Sequence, residues 1–178
     1  KKIKYVCNHH EQASVMAADV YSRISENFGV AVVTSGPGAT NAVTGVVGAW
    51  QDSTPCMVIS GQSKRQQTVY NSNIKGLRQF GFLEVNIIPI VESVTKYSVM
   101  INNPEKIRYH LEKAIYLAKL GRPGPVWIDV PLDVQGFLID EKKLLGFKPP
   151  KSTINKQNKT LLQDIATVLK LLKSSRKP

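Results

Sequence analysis

Val30-Ala31-Val32-Val33-Thr34-Ser35, followed at once by Gly36-Pro37-Gly38 and Ala39-Thr40-Asn41, is the stretch on which the fold reading turns. A continuous β-branched run reads as a strand of a parallel sheet buried on both faces. Gly-Pro-Gly ends the strand, and Ala39 to Gln51 reads as a helix. Glycines between a strand and a helix leave backbone N–H groups free at the helix N-terminus, as phosphate loops do. The stretch is not a Walker loop, which needs Gly-Lys-Ser/Thr, and it is not GxGxxG. Its glycines either admit a flat ring close to the backbone or simply form a tight turn.

Upstream, Ile3 to Cys7 reads as a short strand and His10 to Asn27 as a helix, with Val15, Ala18, Tyr21, Ile24 and Phe28 on one stripe and Gly29 closing it. Between them lies His9-His10-Glu11-Gln12. Ligands of open α/β sheets sit at the carboxyl ends of strands, where a carboxylate can move protons. Glu11 is equally a first-turn acid favoured by the helix dipole. The two histidines are adjacent, so they do not face one way, and no Cys or acid lies at ligand spacing; metal binding is not expected.

Downstream, Pro55 precedes an apolar strand, Cys56 to Ser60, which runs into Gly61-Gln62-Ser63. Gln62, at another strand end, is either a ligand group or an exposed loop amide. Residues 61–81 form a long polar loop. Pro104 to Leu120 reads as an amphipathic helix with Ile107, Leu111, Ile115 and Ala118 on one face. Gly121-Arg122-Pro123-Gly124-Pro125 breaks it, and Val126 to Val130 is a further strand. The alternation predicts an α/β fold, a parallel sheet flanked by helices on both faces.

The expected organisation is a domain over residues 1–137, a linker over 138–158, and over 159–178 the first helix of a further, truncated domain. Asn158 or Thr160 would cap that helix, Leu161 to Lys173. Its apolar positions Leu161, Leu162, Ile165, Val168, Leu169 and Leu172 need a partner surface.

The 178 residues carry a formal net charge of +11. From Leu138 onward ten Lys/Arg stand against three Asp/Glu, so +7 of the excess lies in the tail and +4 in the first 137 residues. The tail has no aromatic interleaving beyond Phe147, so a solvated basic segment accounts for it better than nucleic-acid binding. The alternative is a non-catalytic assembly domain docking an anionic partner through this tail. No apolar run approaches the ~20 residues of a membrane span. Nothing near Lys1 reads as a signal peptide. Cys7 and Cys56 sit in apolar runs and are expected to be buried thiols of a reducing cytoplasm.

Taken together the segments resemble one family. HHEQASVMAADVYSR from His9, TSGPGATNAVTGVVGAWQDSTP from Thr34, ISGQSKR from Ile59, SVTKY from Ser93 and GRPGPVWIDVPLDVQ from Gly121 are similar, in order and spacing, to acetolactate synthase-like thiamine-diphosphate enzymes. The likeness covers Tyr5 to Gln135 and implies their N-terminal, pyrimidine-binding (PYR) domain. It implies that Glu11 is the catalytic residue, hydrogen-bonded to N1′ of the aminopyrimidine and favouring the tautomer that removes the thiazolium C2 proton. It also implies that Glu11, Gly36, Pro37, Gly38, Asn41 and Gln62 line the thiamine diphosphate site, and that Arg122 contacts FAD.

The implied activity is decarboxylation of a 2-oxo acid such as pyruvate and transfer of the acyl carbanion equivalent to an acceptor, in a homodimer or homotetramer. Two departures qualify this. The family's Gly-Asp-Gly … Asn motif, which holds Mg²⁺ and the diphosphate, does not begin anywhere in these 178 residues, and the resemblance implies a first strand and glycine loop that would precede Lys1. The chain is therefore expected to be part of a longer enzyme and inactive alone. Phe82-Leu83-Glu84 stands where acetolactate synthases usually have Phe-Gln-Glu, so Leu83 replaces an active-site glutamine. That keeps open another thiamine-diphosphate-dependent decarboxylase, oxidase or carboligase.

Overall fold

The computed structural model describes residues 3–25, 27–150 and 159–177. Contacts divide the chain into two units, Lys1–Lys148 and Pro149–Pro178. Residues 151–158, the last part of the predicted linker with the Asn158 cap, lie outside the described residues, as does the side chain of Thr160.

The first unit opens on helix α1 (Glu11–Ser25), strand β1 (Gly29–Val33), helix α2 (Pro37–Gln51) and strand β2 (Cys56–Gln62). Short helices α3 (Val69–Ser72) and α4 (Ile87–Val91) follow, then strand β3 (Tyr97–Met100), helix α5 (Ile107–Lys119), strand β4 (Val126–Pro131) and helix α6 (Leu132–Gln135). The four strands form one sheet in the order β1-β2-β4-β3, every pairing parallel. This is the expected α/β architecture.

Alternation along the strands separates two cores. Val58 and Trp127 face Val15, Ala18, Ala42, Val46, Ile87 and Val91, so α1, α2 and α4 cover one face. Met57, Val126 and Ile128 face Ala114 and Ala118, so α5 covers the other. Parallel strands need crossover helices on the faces, and the two cores are the result.

Several expectations change. Ile3 to Cys7 form no strand; Ile3, Tyr5 and Val6 are exposed, because no neighbouring strand offers this segment a ladder. Cys7 is exposed with them, whereas Cys56 is buried, its thiol pushed up to about 12 by burial. Β1 is an edge strand, not a doubly buried one: Val30 and Val32 point outward, and Val32 is 73% exposed. Gly29 is the first residue of β1 and not a helix cap. Glycine is needed there for room, since a Cβ would stand 2.0 Å from the Ala18 carbonyl oxygen. Pro104–Lys106 is a 3-10 turn ahead of α5, and Ile115 of the predicted buried face is 40% exposed.

The segment after Val134 stays with the first unit as far as Lys148. The Phe147 N–H donates to Glu112 Oε2 at 2.7 Å, and its ring packs on Tyr109 and Tyr116 of α5. In the second unit, helix α7 (Lys159–Ser174) leaves Leu161, Leu162, Ile165, Val168, Leu169 and Leu172 exposed. No helix of the described residues is long and apolar enough to cross a membrane.

Candidate functional site

Both α1 and α2 begin at the carboxyl edge of the sheet, because each runs back against the parallel strands. That topology brings together residues thirty positions apart. Asn41 Nδ2, in the first turns of α2, donates to Glu11 Oε2 at 3.1 Å. The Glu11 backbone N–H and the Asn41 amide hold the Glu11 carboxyl below its ordinary range, with help from the nearby His10. Glu11 is thus ionised at neutral pH, and the favourable charge is lost as pH falls through the lowered value. Replacing Asn41 by Ala is expected to raise the Glu11 carboxyl pKa toward its ordinary value. Carboxyl ¹³C titration would read this; an unchanged midpoint would mean Asn41 does not hold the charge.

The Gly-Pro-Gly turn lies beside this carboxylate. A Cβ at Gly38 would stand 3.2 Å from Glu11 Oε1 and 2.5 Å from Thr34 Cγ2. Gly36 has φ +58, and a Cβ there would meet the Leu83 carbonyl oxygen at 1.9 Å. Both glycines are therefore needed for close approach, one beside the carboxylate and one against the 81–85 turn. Pro37 opens α2, where a proline lacks no needed N–H. Leu83 itself has φ +53, a conformation uncommon for leucine, and its side chain is 44% exposed.

Gln62 reaches the same edge of the sheet but is directed inward. It is 5% exposed; its Nε2 donates to the Val85 carbonyl (2.9 Å) and to Asp129 Oδ2 (3.0 Å), and its Oε1 accepts from the Ser63 N–H. Arg122 sits at the opposite, amino edge of the sheet, just ahead of β4. It donates to Ser53 Oγ at 2.6 Å and to the Gln51 carbonyl. Trp50, Lys96 and Pro123 join it around a cavity of about 620 Å³. Glu11, Gly36, Pro37, Gly38 and Asn41 thus form one cluster, Gln62 is spent on Val85, Asp129 and Ser63, and Arg122 stands apart. His10 Nδ1 accepts from the Gln12 N–H, and among the described residues no group of three or more His, Cys, Asp or Glu could hold a metal.

The sequence reading missed Asp129. It is 1% exposed, and burial pushes its carboxyl up to about 6 against hydrogen bonds from Ser60 and Gln62 that pull the other way. The unfolded carboxyl ionises first, near 3.8. Stability from this group is therefore greatest in acid and falls as pH rises toward 6. The signal was available: an acid inside an apolar strand is rarely buried unless paired.

Comparison with known proteins gives a consistent picture. Residues 1–80 match the family described as thiamine pyrophosphate enzyme, N-terminal TPP binding domain. The acetolactate synthase large subunit of Buchnera aphidicola subsp. Acyrthosiphon pisum (strain APS) is 38% identical over 170 residues, covering 96% of this chain and 28% of that protein. The acetolactate synthase isozyme 3 large subunit of Escherichia coli (strain K12) is 37% identical over 179 residues, covering 99% of this chain and 29% of that protein. The acetolactate synthase large subunit of Haemophilus influenzae (strain ATCC 51907 / DSM 11121 / KW20 / Rd) is 43% identical over 131 residues, covering 74% of this chain and 21% of that protein. The chain spans less than a third of the length of these relatives.

Proposed function

We propose a role from one premise: the chain belongs to the thiamine pyrophosphate enzymes and carries an N-terminal TPP-binding domain of the acetolactate synthase large-subunit type. Its role is to supply the Glu11 half of a thiamine diphosphate site in an enzyme that decarboxylates a 2-oxo acid. The observation that carries this reading is the Glu11 carboxylate, stabilised by its backbone N–H and by Asn41, beside the bare backbone of Gly38. An ionised carboxylate next to a surface without a Cβ suits a flat, protonatable ring nitrogen, so the residues present fit an aminopyrimidine.

When bound, thiamine diphosphate supplies a carbon nucleophile and an electron sink, chemistry that no side chain of the cluster offers. Glu11 holds a proton at N1′ of the pyrimidine. Asn41 fixes the carboxylate's orientation, and Gly36, Pro37 and Gly38 keep the approach clear. Mg²⁺ and the diphosphate fall to residues beyond this segment, in the same or a second subunit of a homodimer. Arg122 and its cavity are assigned to FAD.

The test is a chimera in which residues 5–135 replace the matching segment of the E. coli isozyme 3 large subunit. A folded chimera that binds thiamine diphosphate and consumes pyruvate is expected. A folded chimera that binds none would overturn the reading.

A sister activity is favoured by Leu83, which presents an apolar, part-exposed side chain from a turn seated on Gly36. An apolar group where the family resemblance implies an amide changes which acceptor is welcome. Product analysis of the chimera is expected to show acetolactate at a reduced share of the pyruvate consumed, restored by Leu83→Gln. An unchanged share in both proteins would remove this alternative.

A further inference from the structure

A buried polar chain runs from the middle of the sheet to the Glu11 cluster. Trp127 Nε1 donates to Ser60 Oγ at 2.8 Å, and Ser60 Oγ donates to Asp129 Oδ1 at 2.6 Å. Asp129 Oδ2 accepts from Gln62 Nε2 at 3.0 Å, and the same nitrogen donates to the Val85 carbonyl. Both oxygens of Asp129 therefore face donors, and Gln62 reaches from the strand pair β2–β4 into the 81–85 turn. Ser63 Oγ donates to the Phe82 carbonyl, and the buried Glu84 carboxylate takes the N–H groups of Val69 and Phe80. So braced, the turn places the Leu83 backbone against Gly36, two residues from the Gly38 that faces Glu11.

We propose that Asp129 is a positioning residue for the Glu11 site: through Gln62 it fixes the 81–85 turn, and the turn fixes Gly36. The chemistry explains why an acid stands here. A carboxylate offers two acceptors to two donors. An asparagine, or a protonated aspartate, brings a donor of its own and leaves one pairing unmade. The side chain is not needed to neutralise a neighbour, since the ionisable group facing it, Glu84 of the loop, repels it. The Arg65 guanidinium is engaged by Asp133 at 2.7 Å and by the Asn102 carbonyl. Burial keeps the carboxyl within reach of titration near neutral pH, so the device can be read directly.

The inference deepens the assignment of Glu11 to the cofactor, yet its test needs no cofactor. The ¹⁵N-labelled chain is followed by NMR from pH 4.5 to 7.5. The Trp127 indole N–H, distinguishable from that of Trp50, and the amides of Leu83, Val85 and Gly36 are expected to titrate with one midpoint near 6. Asp129→Asn is expected to remove that common transition; any residual titration belongs to other groups. Gln62→Met is expected to leave the Trp127 transition and abolish it at Leu83 and Gly36. The proposal is overturned if the turn amides do not share the Trp127 midpoint, or if they still follow it in Gln62→Met. Should Asp129→Asn not fold, the parent chain and Gln62→Met decide alone. Failure of the chimera to bind thiamine diphosphate would remove the cofactor reading and leave these titrations untouched.

Discussion

In the chimera with the E. coli large subunit, Glu11→Gln is expected to slow C2 proton exchange of bound thiamine diphosphate by about 10²–10⁴-fold, the range of a positioned proton-transfer group. Glutamine preserves size and can still receive the Asn41 amide, so the fold is retained. It cannot exist as the carboxylate that Asn41 and the α1 backbone stabilise. Only the proton-holding capacity is lost. Cofactor affinity is expected to change far less than the exchange rate, because the diphosphate is gripped elsewhere. Exchange at the parent rate would show that Glu11 is no more than a first-turn acid of α1. Asn41→Ala in the same chimera is expected to move exchange in the same direction by a smaller factor, since it frees the carboxylate's orientation without deleting the charge.

Trp127→Ala is expected to be the most destabilising truncation of the first unit, by about 3–5 kcal/mol. Trp127 is the largest fully buried side chain, at 0% exposure in the core beneath α1, α2 and α4. Its loss leaves a cavity the size of an indole and takes a donor from Ser60 Oγ, which then has one partner fewer inside the sheet. Trp127→Phe keeps most of the volume and loses the N–H, so it is expected to cost less, with roughly 1 kcal/mol from the hydrogen bond. Urea unfolding followed by far-UV circular dichroism reads both, with the midpoint falling and the slope retained. Equal losses in the two variants would assign the whole effect to the indole N–H and none to packing.

The succession of elements was legible because each carries a local signature. Val30 to Ser35 has the branched side chains of a strand, and Pro37 and Gly38 mark where it gives way to a helix. β3 carried no such mark: Tyr97–Met100 is four residues long and follows a polar stretch, so periodicity had too little to act on. Ile3 to Cys7 erred the other way, since a strand-like composition without a neighbouring strand makes no ladder. Of the site, Glu11 and the Gly36–Gly38 turn stood out as residue types at an element junction, while Asn41 entered only through the family resemblance.

By itself the sequence determined the α/β class, the positions of most strands and helices, and the motifs that point to Glu11, because propensity, turn chemistry and periodicity are properties of neighbouring residues. Tertiary structure alone decided the rest. It made β1 an edge with Val32 in the open, turned Gln62 inward to Val85 and Asp129, and joined Asn41 to Glu11. Those outcomes depend on which strands lie side by side and which donors meet a carboxylate once water is gone, and these are relations between residues 23 to 67 positions apart.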